Sequence, residues 1–288
     1  MHISDFIPPI LTKMVKKCRG RKKVEIFSTL NEYTHIQDTV FVVGNGPSLK
    51  TTMEKHAEWI VKYDVIAVNC MAITDYFVAL KPKVYVLADP IYWDEKIVNP
   101  TREKLYDKLI ADTKWPMTIV FPDMASRMRG IERLKANENL RLLYFNTRNT
   151  VADTKNFEAW DKNLVDPPSQ TVMNTALYMA IKWRYQNIYI IGADSSFLAD
   201  LHVDQETNKL YSLDTHFYSN QSVYKNDVYK YEGEVRYFPQ KFHEELLSES
   251  IAFSGYWDLR YYAEYAGVQV YNASEFSWID AFERKKLG

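Results

Sequence analysis

Thr39-Val40-Phe41-Val42-Val43-Gly44-Asn45-Gly46-Pro47-Ser48-Leu49 is the stretch from which the fold is read. Its first five residues are β-branched or aromatic, too short a run for a helix and closed by a glycine turn, so Thr39–Val43 reads as a buried strand. A helix is expected next, over Met53–Lys62. Similar runs follow at Val65–Val68, ending at Asn69, at Val84–Ala88, ending in Asp89-Pro90, and at Thr118–Phe121 and Arg141–Phe145. Continuous apolar runs alternating with helical stretches are the mark of βαβ units on a sheet buried on both faces. The class is α/β, with a mostly parallel sheet and helices on both sides.

The second half repeats the arrangement. Residues 146–170 are polar and turn-rich and include Pro167-Pro168-Ser169-Gln170. A helix over Thr171–Trp183 then leads into a strand, Ile188–Ile191, and the polar turn Gly192-Ala193-Asp194-Ser195-Ser196. Residues 198–240 are rich in Tyr, Asn, Asp and Lys and show no period. So long an irregular segment inside a compact domain is often a lid or substrate-binding insertion, and a lid is expected at about 198–240. Helical spacing resumes over Phe242–Ala266, with Gly267 as its C-cap. Val268–Tyr271 reads as a final strand, and Glu283-Arg284-Lys285-Lys286 as a solvated end.

Composition limits the function. The chain has 288 residues, 36 Lys+Arg against 37 Asp+Glu, and a formal net charge of -1, a balance that argues against coating nucleic acid. Two cysteines, Cys18 and Cys70, cannot build a disulfide framework and fit a reducing, cytosolic compartment. No apolar run reaches the ~18 residues of a membrane span. Residues 1–37 stand apart as a basic amphipathic segment preceding the main domain, 38–288. Within Met1–Lys23 seven bases face one acid, Asp5, while Ile3, Phe6, Ile7, Ile10, Leu11, Met14 and Val15 follow one helical face, interrupted near Pro8-Pro9. Such a segment either lies on an anionic membrane surface, giving a peripheral protein of the cytoplasmic face, or packs on its own domain with a solvated basic tail. The basic residues follow the apolar ones, the reverse of a signal peptide.

In an open parallel sheet, ligands bind beyond the carboxyl ends of the strands. That rule gathers Gly44, Asn45, Gly46 and Ser48 after the first strand, Asn69 after the second, Asp89 after the third, and Asp194 after the later one. The glycines allow close approach of a ligand, and exposed backbone N–H groups there can receive phosphate oxygens. Gln170 and Thr171 stand where the free N–H groups of a helix start can do the same, with Ser169 as the alternative, purely structural cap. The turn lacks the third glycine of a dinucleotide fingerprint and the Lys-Ser/Thr of a P-loop. No zinc-spaced Cys/His cluster, nucleophile elbow or Asp-x-Asp motif occurs.

Val42-Val43-Gly44-Asn45-Gly46-Pro47-Ser48-Leu49-Lys50 resembles the opening motif of the small bacterial sialyltransferases that build lipooligosaccharide termini. Val68-Asn69-Cys70 and Ile188-Tyr189-Ile190-Ile191-Gly192-Ala193-Asp194 resemble that group more loosely. Leu87-Ala88-Asp89-Pro90 and Tyr271-Asn272-Ala273-Ser274 are similar to a broader group holding flagellin-modifying glycosyltransferases and an archaeal hydroxymethylpterin pyrophosphokinase. The resemblance implies a Rossmann-like nucleotide-binding domain with a late lid. It also implies an inverting transfer of a nonulosonic acid from a CMP-activated donor to a glycan or glycolipid acceptor, with no metal required. A nucleoside monophosphate leaving group carries less charge than a diphosphate, so tyrosine hydroxyls suffice to stabilise it. Asn45 and Asn69 match positions that contact the donor nucleotide. Asp89 replaces an asparagine of the sialyltransferases, and its carboxylate is the one place where Mg²⁺ would be recruited. The general base of that family is a histidine preceding a late helix, which favours His243, with His216 second; His202 shares the lid-like segment. Tyr211 and Tyr218, with Tyr224, are the lid tyrosines available to the leaving phosphate.

Two rivals remain. An ATP- and Mg²⁺-dependent pyrophosphokinase of a pterin-like alcohol would use Asp89 and Asp194 as ligands. A nucleotide- or glycan-binding accessory protein would keep the fold without the chemistry.

Overall fold

The computed structural model describes residues 28–147, 154–213, 225–227, 229–231, 237–239 and 241–288. The basic segment Met1–Lys23, His216, Tyr218 and Tyr224 lie outside them. In chain order the elements are β1 (Thr39–Val43), α1 (Ser48–Ile60), β2 (Asp64–Val68), α2 (Tyr76–Leu80), β3 (Val84–Val86), α3 (Pro100–Asp112), β4 (Met117–Pro122) and β5 (Leu140–Phe145). There follow α4 (Thr154–Asp161), α5 (Val172–Lys182), β6 (Asn187–Ile191), β7 (Leu201–Val203), β8 (Leu210–Leu213), β9 (Lys225–Asp227), β10 (Tyr229–Tyr231), β11 (Tyr237–Pro239), α6 (Phe242–Ala266), β12 (Gln269–Asn272) and β13 (Glu283–Arg284).

Eight strands form one sheet in the order β13-β12-β6-β1-β2-β3-β4-β5, and every pairing is parallel. The expected α/β, Rossmann-like class is what the chain adopts. Successive side chains leave a strand on opposite faces, so β1 sends Val40 and Val42 to one core and Phe41 and Val43 to the other. The first core lies under α5 and α6, the second under α1 and α3. Because the chain runs outward from β1 to β5 and then returns to the far side of β1 as β6, the strand order reverses between β1 and β6. That reversal opens a crevice at the carboxyl ends of the two strands.

The crevice is held by backbone. Gly44 N–H donates to Ile191 O at 2.9 Å and Gly46 N–H to Gly192 O at 2.8 Å. A Cβ on Gly44 would stand 2.4 Å from Gly192 O, and one on Gly46 would stand 2.3 Å from Asp194 Oδ1. Only glycine fits between these two turns. Asp194 completes the joint, accepting from Ser48 N–H at 3.1 Å and from Ser48 Oγ–H at 2.5 Å. The carboxylate therefore satisfies the start of α1 from a different strand, and α1 begins at Ser48 rather than at the expected Met53.

Three further regions depart from the sequence reading. The polar stretch 146–170 contains α4, whose Phe157 and Trp160 pack against Tyr178 and Tyr262. The expected lid carries short antiparallel pairings, β7-β8-β9 and β10-β11. The C-terminal tail is not simply a solvated end: β13 pairs with β12, and Arg284 Nη2 donates to Ser274 O at 2.5 Å. No helix among the described residues is long and apolar enough to cross a membrane.

Two substitutions test this framework by urea denaturation. Asp194→Ala removes the cap and leaves buried donors at Ser48, and should lower the unfolding free energy by about 1–3 kcal/mol. Gly267 ends α6 at φ +70° with open space where a Cβ would stand. Gly267→Ala should therefore cost only the left-handed backbone strain, about 1 kcal/mol.

Candidate active site

At the β1/β6 reversal lies a cavity of about 720 Å³, within the ~300–1,000 Å³ typical of small-molecule sites. The turn Gly44–Pro47 borders it after β1, and Asn69 and Asp89 border it after β2 and β3. Gln170, Thr171 and the first residues of α5 form another wall, Glu245, Glu249 and Tyr256 of α6 a third, and Ser212 of β8 also borders it. The structure thus brings together Gly44, Asn45, Gly46, Asn69, Asp89, Gln170, Thr171 and Asp194 from the residues read in the sequence.

Each of these has a local cause. Asn45 is 8% exposed and its Nδ2 donates to Val68 O at 3.1 Å, tying the first turn to the end of β2. Asn69 has φ +49°, a conformation asparagine tolerates better than most residues, and its carbonyl accepts from Tyr85 Oη. The side-chain oxygens of Asn45 and Asn69 are buried without a hydrogen-bond partner. Asp89 Oδ1 accepts from Ile91 N–H at 3.0 Å, and burial by the surrounding walls pushes its carboxyl pKa up. Thr171, not Ser169, is the N-cap of α5, in a reciprocal box with Asn174. Val172 and Met173, the next residues, border the cavity, and N–H groups of this first turn have no acceptor within the helix. Gln170 Nε2 donates to Ser248 Oγ at 2.7 Å, linking α5 to α6.

Other expected residues fall elsewhere. Ser48 sits behind Asp194 and does not border the cavity. His243 is exposed on the first turn of α6 and is not a wall residue. His202 is exposed on β7, where it pairs with Tyr211 of β8, and neither borders the cavity. His35 is held by Gln37 O and Trp183 O and stacks on Tyr185, a structural position. Among the described residues no histidine lines the cavity; the tyrosines that do are Tyr178 and Tyr256.

The walls are acidic. Asp89, Asp166, Asp194, Asp200, Glu245 and Glu249 line the cavity, and among the described residues no Lys, Arg or His does. Asp166 accepts from Asn146 N–H at 2.8 Å and from Tyr178 Oη–H at 2.7 Å. Burial nevertheless pushes its carboxyl pKa up to about 7. Burial likewise raises Asp194, against the lowering effect of its two Ser48 bonds. Glu249 is 9% exposed and is pushed up to about 7, first by burial and then by the neighbouring charge of Glu245. The arrangement can meet a phosphate with backbone N–H groups and can accept a proton on a carboxylate. No three His, Cys, Asp or Glu side chains among the described residues are placed to hold a metal ion.

Sequence reasoning missed Glu249, Asp166 and Tyr256. A signal for two of them was present: Glu245, Glu249, Ala252, Tyr256, Leu259 and Ala263 recur at three- and four-residue spacing. Two glutamates thereby head the stripe that faces the core.

The chain matches no family model and no curated protein. Among solved structures it is similar to the MAf glycosyltransferase from Magnetospirillum magneticum AMB-1, with 14% identity, a TM-score of 0.46, and coverage of 90% of this chain and 35% of that one. This chain thus spans about a third of that protein's length, and the activity in that name is the neighbour's own.

Proposed function

We propose that the protein is a glycosyltransferase that moves a sugar, in the first instance a nonulosonic acid, from a CMP-activated donor to a hydroxyl of a glycan or glycolipid acceptor. The observation that carries this reading is the N-terminus of α5, whose first-turn N–H groups have no acceptor within the helix, set beside the glycine turn at the β1/β6 reversal in a cavity without a described cationic side chain. Backbone N–H groups and a helix terminus together bear roughly half a positive charge. That is enough to favour one phosphate group, and much less than a diphosphate leaving group asks for. The buried, unpartnered oxygens of Asn45 and Asn69 beside the same turn add acceptors suited to a base or ribose. The basic segment Met1–Lys23 would bring such an enzyme to an anionic membrane surface, where lipid-linked acceptors are held.

A second reading rests on Asp89. Its carboxylate borders the cavity with one donor, Ile91 N–H, bound to it. Mg²⁺ is commonly held by one or two carboxylates together with substrate phosphates. Asp89 would hold such an ion against a nucleoside triphosphate, as pyrophosphoryl transfer to an alcohol requires.

Thermal unfolding with CMP, CDP, UDP, GDP or ATP, each with and without Mg²⁺, separates the two. A ligand at a hundred times its Kd stabilises by about 2.7 kcal/mol, a shift of several degrees. We expect CMP to stabilise the protein without Mg²⁺, and Asp89→Asn to keep that shift. Stabilisation by ATP only with Mg²⁺, lost in Asp89→Asn, would replace the transferase reading with the pyrophosphokinase one.

A further inference from the structure

Among the described residues six carboxylates border the cavity, and for three of them the structure shows a job. Asp194 caps α1 through Ser48. Asp166 is fixed by Asn146 N–H and Tyr178 Oη–H, and Asp89 receives Ile91 N–H. Glu249 is different. It is nine-tenths buried and borders the cavity, and among the described residues no hydrogen bond or ion pair reaches it. It occupies the core-facing stripe of α6 between Glu245 and Ala252, where leucine or glutamine would pack as well and cost less. A buried, unpaired carboxylate has no structural reason to be there.

We propose that Glu249 is the catalytic base of the transfer, taking the proton from the acceptor hydroxyl; the assignment rests on the sugar-transfer reading of the cavity. In the step, the acceptor O–H proton passes to the Glu249 carboxylate. The freed oxygen pair forms the bond to the anomeric carbon. The anomeric C–O bond to the phosphate breaks, and its electron pair leaves with the nucleoside monophosphate, which rests against the first-turn N–H groups of α5. The proton then leaves Glu249 for water as product departs. This is the role that the histidines were expected to fill and that His243, exposed and off the cavity, does not reach.

Charge surrounds Glu249 from several elements. Glu245 precedes it on α6, Tyr256 follows on the same helix, Asp166 and Tyr178 face the cavity from the α5 side, and Asp194 faces it from the turn after β6. Glu249 titrates near 7 because of burial and Glu245, where a general base is both ionised and basic enough to be effective. The rate should therefore climb as pH rises through about 7 and then level off. The stability sign is opposite. The folded protein keeps a proton on Glu249 that the unfolded chain has already lost, so the group's contribution to stability is complete below the ordinary carboxylate range. It falls away as pH rises through about 7.

The test uses the full chain and measures CMP release from CMP-N-acetylneuraminate with lactose as acceptor, together with thermal unfolding at pH 4 and pH 8, with and without CMP. Expected for Glu249→Gln are a loss of turnover on the order of 10²–10⁴, an unchanged CMP shift, and loss of the pH-dependent limb. The melting temperature should rise by a few degrees at pH 8 and not at pH 4, which shows the variant folded and rules out a merely structural glutamate. Glu249→Asp should recover part of the rate. Equal turnover by wild type and Glu249→Gln would overturn the role of Glu249 alone. A wild type that neither binds CMP nor releases it would overturn the sugar-transfer reading and, with it, the base.

Discussion

The close approach of two turns, Gly44–Gly46 after β1 and Gly192–Ser195 after β6, is the constraint on which the rest of the molecule depends. Their backbones meet at hydrogen-bond distance, and a single methyl group on Gly44 would overlap Gly192 O. This contact fixes the separation of the two strands at the point where the sheet order reverses. It leaves backbone rather than bulky side chains at the base of the cavity. Asp194 then converts the contact into a rigid joint, because one carboxylate serves two donors of Ser48 across the crevice. A residue first read as a ligand-binding acid is thus also part of the frame, and the glycine turn owes its shape to β6 as much as to β1.

The acidity of the cavity has a physical logic once the carboxylates are separated by what they touch. A buried carboxylate with two good donors is held in place and contributes to order even when its pKa rises, as Asp166 does between Asn146 and Tyr178. A buried carboxylate with none is a destabilising element at neutral pH. Proteins retain such elements where chemistry needs them. The distinction rests on hydrogen-bond partners rather than on pKa, since Asp166 and Glu249 are both pushed to about 7.

Strands β1 to β6 and helices α5 and α6 were legible because burial on both faces of the sheet leaves continuous apolar runs, and because Thr171 and Gly267 mark helix ends. The glycine turn, Asn69 and Asp89 were legible through the strand-end rule alone. Helix α4 was not, since eight residues of mixed polarity have little helical preference of their own. What holds it is the burial of Phe157 and Trp160 among aromatic residues far away in sequence. The strands of the lid are three or four residues long and too short to show a period. His243 is favoured by its place ahead of a late helix, but six residues along a helix turn it ~120° away from Glu249. Spacing alone puts Glu249 on the same stripe as Glu245, which is half-exposed; only the packing of α6 on α5 shows which of the two is buried.

That packing also joins the two halves of the chemistry. Asn174 is buried in α5, where it forms the capping box with Thr171, and its Nδ2 donates to Ala252 O, one turn along α6 from Glu249. Gly255 gives α6 its close approach, since a Cβ there would stand 3.3 Å from the Asn174 amide. One side chain therefore sets both the N-terminus of α5 and the position of Glu249, the two groups to which the proposed reaction assigns the phosphate and the acceptor proton. In the inverting displacement proposed, leaving group and nucleophile would sit on opposite sides of one carbon, so the distance between these two features would have to be held rather than left to a loop. The α5–α6 contact holds it with buried residues of two helices.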